Sequence, residues 1–241
     1  MTIENPVPAD VQAEHDDESA GFRYGVVFLL TLILVVFVIA APPANWSRAL
    51  ALAIQGAALI VAVTTAREQR RAVRRRQAIG VGVAMVIMVV GVAAGWFPKT
   101  VSGSVNALAT AAIPVVISRG VVRLMRDRGV TLQAVAGALA IYLSIGLVYA
   151  WIIGLIVQID PSTAYFAQHT SQGANGSEGD RVYYSFTVLT TTGFGDFAAA
   201  TPVGHALAVI EMLNGQLYLV TVIGLLIGNF VGAQRAKPRP D

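Results

Sequence analysis

The chain has 241 residues, 55% of them hydrophobic and only 13% charged, the balance of an integral membrane protein rather than of a soluble core. No cysteine occurs, which excludes disulfides and thiolate metal sites. The net charge of +3 and pI near 9.4 come from arginines beside apolar spans, so they mark membrane orientation and not nucleic-acid binding.

Residues 1–21 are polar and acidic, with Glu4, Asp10, Glu14, Asp16, Asp17, Glu18, Pro6 and Pro8, a composition that predicts a short disordered tail. They lack the basic start of a secretory signal, so the first apolar span is expected to stay in the mature protein. Six spans follow: Gly25–Ala41, Ala49–Thr65, Ala78–Phe97, Val101–Val122, Leu132–Val157 and Val203–Val231. Each approaches or exceeds the ~20 residues that cross about 30 Å of hydrocarbon. A further apolar stretch, Val182–Leu189, is too short to span. It suits a re-entrant half-helix, which survives at membrane depth only inside protein or against a water-filled pore.

Arginine placement fixes the expected orientation. Arg67, Arg70, Arg71, Arg74, Arg75 and Arg76 lie between spans two and three, Arg119, Arg123, Arg126 and Arg128 lie at the end of span four and just beyond it, and Arg235, Lys237 and Arg239 end the chain. With both termini cytoplasmic, all three clusters fall inside. Trp46 and Trp96 then stand at outer boundaries, where aromatic belts belong. Gln158–Asp180 becomes an outer loop, expected to be a mobile turret. Asn175-Gly176-Ser177 within it fits a glycosylation acceptor, a pattern frequent by chance.

The stretch with chemistry is Thr190-Thr191-Thr192-Gly193-Phe194-Gly195-Asp196, placed between the half-helix and the last span. A dehydrated cation needs oxygens to replace its water shell, and successive backbone carbonyls aimed at one axis supply them. Such a run needs φ to alternate between ordinary and left-handed regions, which glycine reaches at little steric cost; hence Gly193 and Gly195. Thr191 adds a hydroxyl at the inner end, and Asp196 a carboxylate at the outer mouth. The half-helix Arg181–Thr190 would point its negative end at the central cavity.

Tyr184 through Asp196 resembles the pore of the potassium channel superfamily, and Glu211-Met212-Leu213-Asn214-Gly215-Gln216-Leu217-Tyr218-Leu219 resembles the inner helix of its two-helix ion channel pore domain, common in bacteria. The resemblance covers roughly residues 132–232. It implies an all-α membrane protein with six transmembrane helices, a re-entrant pore helix and a selectivity-filter loop. K+ is the permeant ion, held by Thr191, Thr192, Gly193, Phe194 and Gly195, and no other cofactor is implied. Tyr184 and Asp196 would support the filter, by a mutual hydrogen bond or by Tyr184 packing alone. Gly215 falls where the family often has a gating hinge, with close helix packing as the alternative. Phe194 and Thr192 depart from the commoner Tyr and Val, and Thr187 stands where some members carry a carboxylate behind the filter, so the inactivation behaviour of those members is not carried over.

One chain supplies one filter loop and a closed ring needs four, so a homotetramer in the lipid bilayer of the cell membrane is expected. The implied division is a tail (1–21), a four-helix transmembrane domain in the position of a voltage sensor (22–128), a pore domain (129–232) and a basic tail (233–241). Spans one to three contain no Asp or Glu, and a sensor needs acidic partners for its arginines, so voltage dependence is expected to be weak or absent. With tails this short, any ligand control is expected to come from lipids, outer-side ions, permeant ions or another polypeptide. Glu211, the only acid of the last span, is expected to have a structural partner rather than to be an ion site. Two other classes are weighed. A K+ uptake subunit would usually carry four looser pore loops, and an intramembrane enzyme would need a nucleophile–base pair that the sequence does not place, so no enzymatic activity is expected.

Overall fold

The computed structural model describes residues 9–65, 71–96, 99–128, 131–168, 173–224 and 228. Seven α-helices occur among them: α1 (Ala9–Ala40), α2 (Asn45–Thr65), α3 (Arg71–Ala93), α4 (Lys99–Arg128), α5 (Leu132–Ile159), α6 (Glu178–Leu189) and α7 (Pro202–Tyr218). A π-helical turn, Leu219–Ile223, extends α7. Residues 1–8, Arg67, Arg70 and the basic tail 233–241 lie outside the described residues. Helix α1 already begins at Ala9, so residues 9–21 are helical and not the disordered segment that their composition predicts.

Local chemistry explains several of these boundaries. Pro42-Pro43 ends α1, since proline cannot donate the next helical bond, and Ser47 Oγ closes the turn by accepting from Ala44 N at 3.2 Å. Thr131 caps α5 by accepting from Ala134 N. Ser177 and Asp180 form a reciprocal capping box at the start of α6. Thr201 caps α7, with Pro202 in its first turn, where a missing N–H costs nothing.

The packing pairs give the helix directions. Gly56 lies against Met85 and Gly82 near Ile60, so α2 and α3 are antiparallel; Gly137 against Val121 and Gly103 near Gln158 make α4 and α5 antiparallel. Helix α1 joins α4 and α5 in an apolar cluster that includes Tyr24, Val27, Ile113, Ile117, Val121 and Ala140. The loops 41–45 and 160–177 therefore share one end of the molecule. There Arg48 Nε meets Glu178 Oε1 at 2.8 Å. Exposed Trp46 stands at the same end, as does exposed Trp96, just past the close of α3. The arginine-bearing ends of α3 and α4 lie opposite.

Three helical segments are long and apolar enough to cross a membrane: Asn45–Thr64, Leu132–Ile159 and Pro202–Val222. Tyr24–Ala40, Ile79–Ala93 and Ala107–Val122 are shorter apolar stretches. Helix α5 is the hub. It buries small residues, among them Ala134, Gly137, Ala138, Gly146, Ala150 and Gly154, which let neighbouring backbones approach closely. Helix α7 is the opposite case. Only 17% of its span is buried within one chain, and Val209, Ile210, Leu213, Leu217 and Val220 stand exposed.

The outer loop is not a free turret. Phe166 bridges Ala199, and Tyr165 and Phe166 are almost fully buried against Tyr184 and Val188. Asn175 holds this fold from within, accepting from Tyr165 N at 2.9 Å and donating to Pro161 O at 3.1 Å. Aromatic burial outweighs the turn residues that suggest mobility, and the Asn175 side chain is committed to structure.

Candidate pore loop

Helix α6 runs antiparallel to α5: Gly146 faces Phe186 and Leu189, and Gly154 faces Arg181. It runs parallel to α7, because Ser185 meets Glu211 and Leu189 meets Gly215. Two consecutive helices that run the same way need a connection that climbs back. Residues 190–201 make that return. Thr191 lies level with Gln216, and Ala199 level with Gly204, a climb of about 18 Å along α7 at 1.5 Å per residue.

The backbone of the return is unusual. Among the described non-glycine residues only Thr191 has positive φ, at 57°, and Gly193 and Gly195 follow at 51° and 80°. Left-handed φ thus recurs at every second position, 191, 193 and 195. For a β-branched residue this is a real outlier, and such strain persists only where surroundings over-determine it. The surroundings are a set of bonds from the C-terminal end of α6. Thr191 N donates to Val188 O at 2.9 Å, and Thr187 O accepts from both Thr192 N (2.9 Å) and Gly193 N (3.1 Å). Thr190 Oγ1 lies 2.8 Å from Thr192 Oγ1 and donates to Phe186 O at 2.7 Å. Gln216 Nε2 donates to Thr191 Oγ1 at 3.0 Å.

At the far end of this run Tyr183, not Tyr184, donates to Asp196 Oδ2, at 2.8 Å. Its ring lies parallel to Phe194. Donation to the carboxylate raises the Tyr183 pKa above the ordinary phenol value, with smaller contributions from burial and from the Asp196 charge. Tyr184 turns away into the aromatic cluster, 5.2 Å from the Phe166 ring and 6.3 Å from that of Tyr165. Successive residues on a helix diverge by about 100°, so only one of the pair reaches the loop.

Thr191, Thr192, Gly193, Phe194 and Gly195 are all exposed in the single chain, Phe194 by 68%. They lie on one continuous segment at the negative end of α6, which favours cations. Gly215 is buried against the end of α6, where a Cβ would overlap the Leu189 carbonyl oxygen. Its glycine is required by close approach. The motif gives Ser185 and Gln216 no role and Tyr183 only packing; their signal is a polar group beside apolar positions of α6 and α7.

Residues 137–231 match the family model described as "Ion channel". The match runs from within α5 through α6, the return loop and α7, and leaves α1–α4 outside it. No curated protein and no solved structure matches the chain. The C-terminal segment is thus similar to an ion channel domain, and the chain carries helices long and apolar enough to cross a membrane.

Proposed function

We propose that the protein is a potassium-selective channel of the cell membrane that conducts K+ passively, with six spans, both termini cytoplasmic and four identical chains around one axis. The observation that carries this reading is the alternation of left-handed φ at Thr191, Gly193 and Gly195, immediately after a short helix whose negative end faces the same segment. Alternation of this kind turns successive carbonyls of residues 191–195 toward one side, where they replace the hydration shell of an ion. The apolar, mostly exposed α7 supports assembly, since a lone chain leaves most of that helix and the filter uncovered. Asp196, tied to Tyr183, holds the outer mouth.

The reading extends to gating by voltage, which is weak or absent. Only residues 129–131 separate α4 from α5, and α4 packs directly along α5, so a moving α4 would have no lever of its own. Arg119 is exposed, with no acidic residue in spans one to three to receive it inside the membrane field.

Purified protein in liposomes is expected to pass K+, to be blocked by Ba2+ and to reject Na+. Equal Na+ and K+ flux would overturn the selectivity reading. A failure of the pure protein to pass K+, with flux restored by a second polypeptide, would point to an uptake subunit. Native mass in mild detergent should give four chains, and a monomer or dimer alone speaks against the ring. Steep sigmoidal activation by voltage in a bilayer recording would overturn the gating statement.

A further inference from the structure

Glu211 is completely buried where α5, α6 and α7 meet. We propose that it is a neutral carboxylic acid, a proton-binding site whose proton ties the three helices together behind the candidate filter. A count of protons supports this. Ser185 Oγ lies 2.6 Å from Gly146 O on α5 and within hydrogen-bond reach of Glu211 Oε1 on α7. Both contacts need a hydrogen between two oxygens. The serine hydroxyl has one, and the carbonyl has none. The second proton therefore belongs to Glu211. Ser185 accepts it and passes its own to Gly146, so one carboxyl proton closes a relay from inner helix through pore helix to outer helix.

The surroundings favour the same species. Glu211 Oε2 is buried without any partner, an arrangement that is costly for a carboxyl oxygen and far more so for a carboxylate. The titratable groups that face it are Tyr142 and Tyr149 from α5, Tyr184 from α6 and Tyr165 from the outer loop. All are phenols, neutral at ordinary pH, and none supplies a counter-charge. The described part of α7 carries no other acid and no lysine or arginine.

Removal of the proton leaves one hydrogen for two acceptors and places a charge among apolar side chains. The relay opens at Ser185, four residues before the end of α6, so alkaline pH loosens the support of the return loop and lowers conduction. Glutamine at 211 keeps an N–H donor and cannot ionise.

The protonation claim is tested on the full chain in lipid bilayers by infrared absorption, which does not depend on which ion the pore passes. At pH 7 the wild-type spectrum minus that of Glu211→Gln should contain a protonated-carboxyl C=O band, and Ser185→Ala should shift it. A difference made of carboxylate bands alone overturns the proposal, as does a band that Ser185→Ala leaves in place. Ser185→Ala keeps Glu211 and so also serves if Glu211→Gln does not fold. The coupling to conduction, which rests on the channel reading, is tested by K+ flux between pH 7 and 10. Wild type should lose most of its flux and Glu211→Gln should not. Parallel pH dependence in the two overturns the coupling; absence of flux in both at every pH overturns the channel reading, with the infrared result still deciding the proton.

Discussion

Helices α1–α4 and α5–α7 are held by different physics. The first group buries four polar side chains among those described, Thr31, Ser47, Gln55 and Thr110, and Thr31 bonds back to Val27 O on its own helix. Gln55 to Thr110, at 3.1 Å, links two helices. The second group is cross-tied by hydroxyls and amides. Tyr218 OH donates to Ala138 O at 2.7 Å, Asn214 donates to the Tyr149 hydroxyl, and Ser185 joins Gly146 to Glu211. Apolar packing tolerates substitution when volume and pattern are kept. Directional bonds do not, because a buried partner left unpaired costs about 1–3 kcal/mol. The segment that matches the ion channel family model, residues 137–231, falls in the tied half.

The sharpest way to break this contrast is to place the same change, glycine to alanine, in each half. At Gly195, φ is 80°, and left-handed backbone costs a non-glycine residue about 1–2 kcal/mol per copy. Gly195→Ala is expected to abolish K+ flux. At Gly82 on α3 the nearest atom to a new Cβ is Ile60 Cδ1, at 3.8 Å, an ordinary contact. Gly82→Ala should leave flux intact and raise stability by roughly 0.5–1 kcal/mol, the helical gain over glycine. Equal flux loss in both would remove the distinction between the halves.

Gly215 gives the next largest effect. A methyl group there meets the Leu189 carbonyl oxygen, and backbone cannot swing aside as a flexible side chain does. Overpacking of this kind costs typically 1–3 kcal/mol. Gly215→Ala should lower the thermal midpoint in detergent clearly. A midpoint unchanged together with slowed gating would favour the hinge over the close contact.

The sequence carried the loop and the helices well, for a physical reason. Gly193 and Gly195 answer a backbone requirement that few residues meet, so they are visible without any neighbour, and long apolar runs announce buried or membrane helices. What stayed hidden depends on rotation and on partners distant in the chain. Tyr183 and Tyr184 are equally aromatic, and only the docking of α6 decides which reaches Asp196. Gln216 looks like an ordinary polar position until α7 is laid beside Thr191. Composition also points away from the structure at residues 9–21, where an acidic stretch that suggests disorder is helical, and at 160–177, where turn residues hide two buried aromatics. The positive φ at Thr191 has no sequence signal, since threonine avoids that region.

Tyr183→Phe removes the hydroxyl that holds Asp196 and keeps the ring beside Phe194. K+/Na+ selectivity is expected to fall while assembly persists. The pH dependence follows from the raised Tyr183 pKa. Such a group contributes fully below the unfolded phenol value of about 10 and loses its contribution as pH rises through the folded value. Selectivity should therefore be flat from pH 6 to about 9 on account of this bond and decline above about 10. The Phe variant should show no such decline. A wild type whose selectivity changes steeply near pH 7 would assign outer-mouth control to another group.

The smallest effect lies on the seam between the halves. Arg48, at the start of α2, and Glu178, in the first turn of α6, make the 2.8 Å ion pair with side chains 17% and 31% exposed. Partly exposed pairs are worth about 0–1 kcal/mol. Glu178 also sits at the positive end of α6, where a carboxylate gains about 0.3–1 kcal/mol independently of Arg48. A double-mutant cycle with Arg48→Met and Glu178→Gln separates the two contributions, and a coupling near 0.5 kcal/mol is expected. Gly179 presses on the Val38 carbonyl at the same seam, so apolar and backbone contact keeps α1 on α6 when the ion pair is gone. If the cycle instead returned several kcal/mol, the seam would be an electrostatic clamp, and the four leading helices would control α6 directly rather than scaffold it.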